Sequence, residues 1–173
     1  MSILIVEPDD SLGPELVATL RAEGDEVRVL VGDRSQAERW KGLGAFVAVG
    51  DALDADLVER ACTNVRTLVA AFPGKTRSAS LLQALLPAAS AAGTGRIVVC
   101  APEAASEMLQ VLNAHSLDYV VLVAGRRGFL PRKGPDMASL AAAVSAADDL
   151  AGEPRMVVDL TRPEGWAALK MPA

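Results

Sequence analysis

The sequence predicts an α/β fold in which a doubly wound, mainly parallel sheet of six to seven strands carries helices on both faces. Short, continuous apolar runs alternate with helix-type patterns along the whole chain. That alternation is typical of parallel strands buried on both faces. Apolar residues make up 51% of the chain but aromatic residues only 3%, which favours an α/β domain over an all-β one. We expect residues 1–173 to form one domain, because a chain of this length can bury a core without disulfides.

Each element has its own local signal. The apolar runs predict strands at Ser2–Val6, Glu26–Val31, Ala45–Val49, Thr67–Ala71, Arg96–Cys100, Asp118–Val123 and Arg155–Leu160. The segments with helical periodicity predict helices at Ser11–Glu23, Ser35–Leu43, Ala55–Cys62, Ser78–Ala92, Pro102–Asn113 and Ser139–Ala147. The first helix has Asp10 or Ser11 as its expected cap, Pro14 in its first turn and Gly24 at its end. Residues Gly125–Met137 read as a long irregular loop.

Charge and cysteine content exclude several classes of function. The formal net charge of −5 argues against binding to nucleic acid or to anionic membranes. We find no apolar run of about 18 residues and no leader pattern, so we expect a cytoplasmic protein. Cys62 and Cys100 stand alone in the sequence, which favours a reducing compartment and argues against a zinc site.

The turn after the first strand carries Glu7, Asp9 and Asp10, and acids there resemble those of response-regulator receiver domains. That resemblance implies Mg²⁺ at these acids and a phosphorylated Asp51, since hard cations prefer carboxylate oxygens. Receivers also end their fourth strand with a hydroxyl residue and their fifth with lysine. Here the fourth strand ends Ala70-Ala71-Phe72, and no lysine lies between Lys75 and Lys133.

A second resemblance covers nearly the whole chain. The segments DEVRVLVGDRSQAERW, GAFVAVGDALDADLVERAC, HSLDYVVLVAGRRGF and MASLAAAVSAADDLAGEPRMVVDLT follow one another at the expected spacing. Together they resemble the atypical short-chain dehydrogenase/reductases, the NmrA-like NAD(P)-binding proteins of Rossmann-like fold. The resemblance implies a set of cofactor-binding positions at the strand ends: Leu12, Gly13, Gly32, Asp33, Arg34, Asp51, Ala52, Ala70, Ala71 and Phe72.

The first turn departs from that family. Its Gly-x-x-Gly-x-x-Gly motif falls on Glu7, Asp10 and Gly13, so only the third glycine is present. Carboxylates at a helix start oppose an anionic ligand, at a cost of about 1–3 kcal/mol for each unit-charge pair about 5 Å apart. We therefore expect no NADP(H) binding or only weak binding. The same acids are also good helix caps.

The standard catalytic groups are also missing. The family resemblance places a serine after the fifth strand, where this chain has Ala101 and Pro102, and a Tyr–Lys dyad in the following helix, which has neither residue. Tyr119 is predicted to lie in the core, His115 to be a partner of a helix end, and Cys100 to be a buried thiol. We assign no catalytic residue and no metal ligand.

Basic residues follow the fourth and sixth strands: Lys75, Arg77, Arg126, Arg127, Arg132 and Lys133. They could hold a small anionic ligand or pair with the acids of the first turn. The sequence thus predicts a degenerate NAD(P)-binding-type module that acts in binding, regulation or assembly, as a homodimer or with a protein partner. The alternative is an atypical NAD(P)H-dependent oxidoreductase, in which Arg34 would favour the 2′-phosphate of NADPH.

Overall fold

A computed structural model describes residues 2–71, 78–125, 135–152 and 155–170. In these residues one parallel sheet has the strand order β3-β2-β1-β4-β5-β6-β7. The strands are β1 (Ser2–Val6), β2 (Glu26–Val31), β3 (Phe46–Val49), β4 (Thr67–Ala71), β5 (Arg96–Ala101), β6 (Asp118–Val123) and β7 (Arg155–Asp159). The predicted doubly wound α/β fold is confirmed.

Helices connect the strands. They are α1 (Gly13–Ala22), α2 (Ala37–Gly42), α3 (Ala55–Cys62), α4 (Ser78–Ala91), α5 (Ser106–Asn113), α6 (Met137–Asp148) and α7 (Pro163–Ala168), and a short 3-10 turn at Arg34–Gln36 precedes α2. Helix α7 was not predicted. It lies against the end of β7 because Gly165 has no side chain, since a Cβ there would lie 2.1 Å from the carbonyl oxygen of Asp159.

The sheet separates two apolar layers. Alternate residues of β1 enter them, Ile3 and Ile5 on one face and Leu4 and Val6 on the other, and all four are buried. The helices α1, α2 and α6 contribute to the first layer, and α3, α4 and α5 to the second. Each fully buried aliphatic side chain of this kind contributes about 1.5–3 kcal/mol to folding.

The strand order places β1 at the centre. Val6 is in register with Leu30 of β2 on one side and with Ala70 of β4 on the other. The chain moves outward in one direction to β2 and β3, then returns across β1 to begin β4. This reversal is the topological switch point, where open parallel sheets bind ligands beyond the carboxyl ends of their strands.

The opposite, amino edge of the sheet is held by a buried polar cluster. Asp148, at the end of α6, accepts hydrogen bonds from the Arg66 guanidinium and from the Thr67 hydroxyl. Arg96 donates to four backbone carbonyls in the last turn of α6 and just after it, those of residues 147, 148, 150 and 152, over 2.7–3.1 Å. The cluster therefore anchors the end of α6 to β4 and β5.

Replacing the buried carboxylate tests this anchor. The Asp148 side chain is only 2% exposed. Asp148→Asn removes the negative charge that pairs with the Arg66 guanidinium. We expect the free energy of unfolding to fall by about 2–3 kcal/mol, less than for a wholly buried pair because Arg66 is partly exposed. Urea unfolding measures the change. The control is Asp149→Asn, at the exposed neighbouring residue, which should change the free energy of unfolding by about 0.5 kcal/mol or less. Equal effects of the two variants would contradict the prediction.

No helix among the described residues combines the length and apolar character that crossing a membrane requires.

Candidate functional site

The turn after β1 keeps a glycine-like backbone although glutamate occupies it. Glu7 has φ of 45°, a left-handed conformation that glycine adopts freely and other residues seldom adopt. Its N–H donates to the Leu30 carbonyl of β2 over 2.9 Å. Its exposed side chain lies near the end of β2. A Cβ added to Gly32, just after that strand, would be 3.9 Å from Oε1 of Glu7.

Asp9 binds the start of α1. Its Oδ1 accepts from the Ser11 N–H at 2.8 Å, from the Leu12 N–H at 2.6 Å and from the Ser11 hydroxyl at 2.9 Å. The predicted cap, Asp10 or Ser11, is wrong, because the residue at the cap position is Leu12 and its side chain makes no capping bond. The two N–H groups just before the helix instead donate to the Asp9 carboxylate, whose negative charge also interacts favourably with the helix dipole.

Asp10 pairs with Arg39 of α2. Arg39 also donates to the Asp10 carbonyl over 3.3 Å and lies over the Trp40 ring at 5.0 Å. The pair is largely exposed, so its contribution to stability is small. Its effect on the site is electrostatic, since it places a positive charge beside one of the three acids.

Gly13 packs against the first layer of the core. A Cβ on Gly13 would lie 2.5 Å from Cη2 of Trp40 and 2.8 Å from Cβ of Pro8. Leu12, next to it, is also buried. The side-chain positions of these two predicted cofactor residues therefore face the core, and Leu12 can offer a ligand only its backbone.

The end of β2 lies beside this turn. Gly32, Asp33 and Arg34 are all exposed. Asp33 accepts a hydrogen bond from the Ser35 N–H over 2.8 Å, and this bond lowers the pKa of the Asp33 carboxyl. The strand end thus presents a carboxylate engaged with its own turn and, one residue later, an exposed guanidinium.

The ends of β3 and β4 contribute less. Asp51 is exposed and its Oδ1 accepts from the Leu53 N–H over 2.9 Å, whereas Ala52 and Ala71 are buried. Phe72 lies outside the described residues, as do the basic residues predicted to face the site, which are Lys75, Arg77, Arg126, Arg127, Arg132 and Lys133.

The strand order contradicts the interpretation of the chain as a receiver domain. In a receiver-type sheet the third strand lies next to the first, whereas here β2 separates β3 from β1. Asp51 is therefore about 10 Å from the turn after β1, two strand spacings away. Among the described residues no three His, Cys, Asp or Glu side chains are grouped so that they could hold a metal ion.

The remaining candidates are Tyr119, His115 and the two cysteines. Tyr119 is buried in β6 and its hydroxyl donates to Asn113 Oδ1 over 2.9 Å. His115 follows α5, and its carbonyl accepts from Arg155 over 2.6 Å. Burial, together with the nearby charge of Asp9, raises the pKa of the Cys100 thiol to about 12, and burial raises that of Cys62 to about 11.

A parallel sheet of this order, with a turn and a helix N-terminus at the switch point, defines the dinucleotide-binding class of α/β domain. The chain belongs to the NAD(P)H-binding family, whose model matches residues 11–114. The matched region begins just after Glu7 and Asp10, the two positions where glycine is replaced. No curated protein matches the chain in sequence.

Solved structures share the fold. ChuY, described as an anaerobillin reductase from Escherichia coli O157:H7, superposes with a TM-score of 0.76 at 17% identity, covering 95% of this chain and 98% of ChuY. An NADPH-dependent quinone oxidoreductase from Escherichia coli, complexed with NADPH, gives 0.73 at 18% identity and covers 90% and 67%. A short-chain dehydrogenase/reductase from Veillonella parvula DSM 2008, in complex with NADP, gives 0.70 at 14% identity and covers 94% of each chain.

These findings confirm the resemblance to the atypical short-chain dehydrogenase/reductases. They do not support the expectation of absent or weak NADP(H) binding, because the family is defined by that binding. Sequence reasoning also missed Arg39 and Trp40. Neither carries a local signal, since both reach the turn only through the packing of α2.

The packing of Trp40 on the turn can be tested at Gly13. Gly13→Ala should lower the free energy of unfolding by about 1–3 kcal/mol, because the added methyl group meets Trp40 and Pro8 in a filled space. Gly42→Ala in α2 is the matched control. No atom lies within 4 Å of its added Cβ, so stability should be unchanged or rise by up to about 1 kcal/mol. Urea unfolding compares the two, and equal effects would refute the packing argument.

The raised thiol pKa values predict unreactive cysteines. A pH of 8 lies well below the pKa values of Cys100 and Cys62, which are about 12 and about 11. Both thiols therefore stay protonated and unreactive at this pH. Ellman's reagent should titrate neither cysteine in the folded protein and both in urea. The exposed position in Thr63→Cys, next to Cys62, should add one reactive thiol. Rapid labelling of the unmodified folded chain at pH 8 would disprove the assignment.

Proposed function

We propose that this chain is an NADP(H)-dependent reductase that binds the dinucleotide along the carboxyl edge of β1, β2 and β4. The observation that carries the proposal is the exposed Gly32-Asp33-Arg34 segment at the end of β2, beside the switch point. Membership of the NAD(P)H-binding family supports it. So do fold neighbours solved with NADP or NADPH.

The described residues divide the work of binding. Glu7, Asp33 and Arg34 would flank the adenosine ribose, and the Arg34 guanidinium would suit a 2′-phosphate because it offers several donors in a plane. Asp51 and the backbone of Ala52 would contact the adenine. The end of β4, at Ala71, would contact the nicotinamide, which when bound would supply the hydride for reduction.

Reduction must then proceed without the usual proton donor. The positions of the standard serine and dyad are occupied by Ala101 or Pro102 and by a helix α5 without tyrosine or lysine. The residues at the ends of β5 and β6 are small and apolar, among them Ala101 and Ala124. We infer that they pack against an acceptor, and that solvent provides the proton that completes its reduction.

A second function has its own observation in favour. Since the Asp9 carboxylate binds the Ser11 and Leu12 N–H groups just before α1, the chain could act without a dinucleotide, as a regulatory or assembly module for a partner protein or a second copy. The two functions differ in a single measurable property, the affinity for NADPH.

Calorimetric titration with NADPH and NADH tests the proposal. We expect NADPH to bind more tightly, and Arg34→Gln to weaken NADPH by about tenfold or more because a charged hydrogen bond is lost, with little effect on NADH. Arg60→Gln is the matched control, since Arg60 is also exposed but lies on α3. Failure of the unmodified chain to bind either dinucleotide at millimolar concentration would reject the reductase and favour the second function.

A further inference from the structure

We propose that the Asp9 carboxylate is a built-in competitor for the dinucleotide, so that binding requires this side chain to leave the N-terminus of α1. The inference rests on the proposed function, because it concerns the same site. It assigns to one acid of the first turn a regulatory role that the other two do not share.

Asp9 accepts hydrogen bonds from the three N–H groups that lead into α1. The N–H groups of Ser11 and Leu12 donate to its carboxylate, and the N–H of Gly13 donates to its backbone carbonyl over 3.1 Å. Pro14, the next residue, has no N–H to offer. The N–H groups of residues 11–13 therefore all donate to Asp9.

These are the groups that an anion would need. A helix N-terminus binds phosphate through its first N–H groups and its dipole, and the strand order puts this helix start at the switch point. A side-chain carboxylate has the charge and acceptor geometry of one phosphate edge. In this structure it takes the place that a ligand phosphate would have to occupy.

The other two acids are differently placed. Asp10 is paired with Arg39, and the Glu7 carboxylate lies near Gly32, just after β2. Neither accepts a hydrogen bond from the start of α1 among the bonds described for this turn. Removing their charge would change the field at the site but would not release the N–H groups.

A role as competitor and a role as mere cap predict opposite results. Asp9→Ala should lower stability, because the N–H groups lose their acceptor, yet bind NADPH about tenfold or more tightly, because the competing charge is gone. Asp9→Asn keeps an oxygen that can cap the helix and removes the charge. It should retain most of the stability and show an affinity between those of the unmodified chain and Asp9→Ala.

The experiment combines calorimetric titration with NADPH and urea unfolding for each variant. Asp10→Asn controls for net charge, because it removes the same charge from the neighbouring residue and should change affinity by less than about threefold. Asp54→Ala controls for capping, because Asp54 caps α3 by accepting from the Leu57 N–H over 3.1 Å. It should lower stability without tightening NADPH.

The outcomes separate this inference from the proposed function. Binding by the unmodified chain with equal or weaker binding by both Asp9 variants would overturn the inference alone. Absence of binding in all variants would overturn both. Binding by the Asp9 variants but not by the unmodified chain would support the competitor and count against reductase activity in the native chain.

Discussion

The position of β1 constrains everything around the candidate site. Because β1 ends in the middle of the sheet, with β2 and β4 in register on either side, the chain must turn out of the sheet and begin α1 within residues 7–12. That short path forces a left-handed backbone at Glu7 and brings the Asp9 carboxylate within hydrogen-bond distance of the Leu12 N–H, just before the helix. It also leaves no space for a side chain at Gly13, where Trp40 fills the corner between α1 and α2. The turn is thus shaped by packing first, and its chemistry follows from the residues that the shape admits.

Three neighbouring carboxylates have three different surroundings in this turn. Glu7 leans toward β2, Asp9 is bound by the helix, and Asp10 is paired with Arg39. A simple sum of their repulsions therefore overstates the opposition to an anionic ligand, since one charge is countered by a guanidinium. The remaining repulsion of an anionic ligand comes mainly from Asp9, because its carboxylate is hydrogen-bonded to the N–H groups that such a ligand would need. The site is better described by which groups are occupied than by its total charge.

The sequence predicts strands far better than the details of the turn. Strand bounds agree to within one residue because short apolar runs flanked by turn residues have a single interpretation. Helix starts are less certain, as α5 begins at Ser106 rather than Pro102 because Ala105 is extended. The cofactor positions follow from family resemblance, but the burial of Ala52 follows only from the packing of α3 and α4. The roles of Asp9 and Asp10 are not separable from sequence, because adjacent acids share one local pattern and Arg39 lies 29 residues from Asp10.

The buried position of Trp40 makes its fluorescence a probe of the first turn. The chain contains two tryptophans; Trp166 lies in α7 and donates to the Leu160 carbonyl, far along the sheet from the first turn. Trp40 is buried with its ring against Gly13 and its neighbour Arg39 stacked above. Its emission therefore reports on the start of α1 from inside the protein, without any attached label. A chain without Trp166 would carry one intrinsic fluorophore, placed where the helix, the acidic turn and the end of β2 converge.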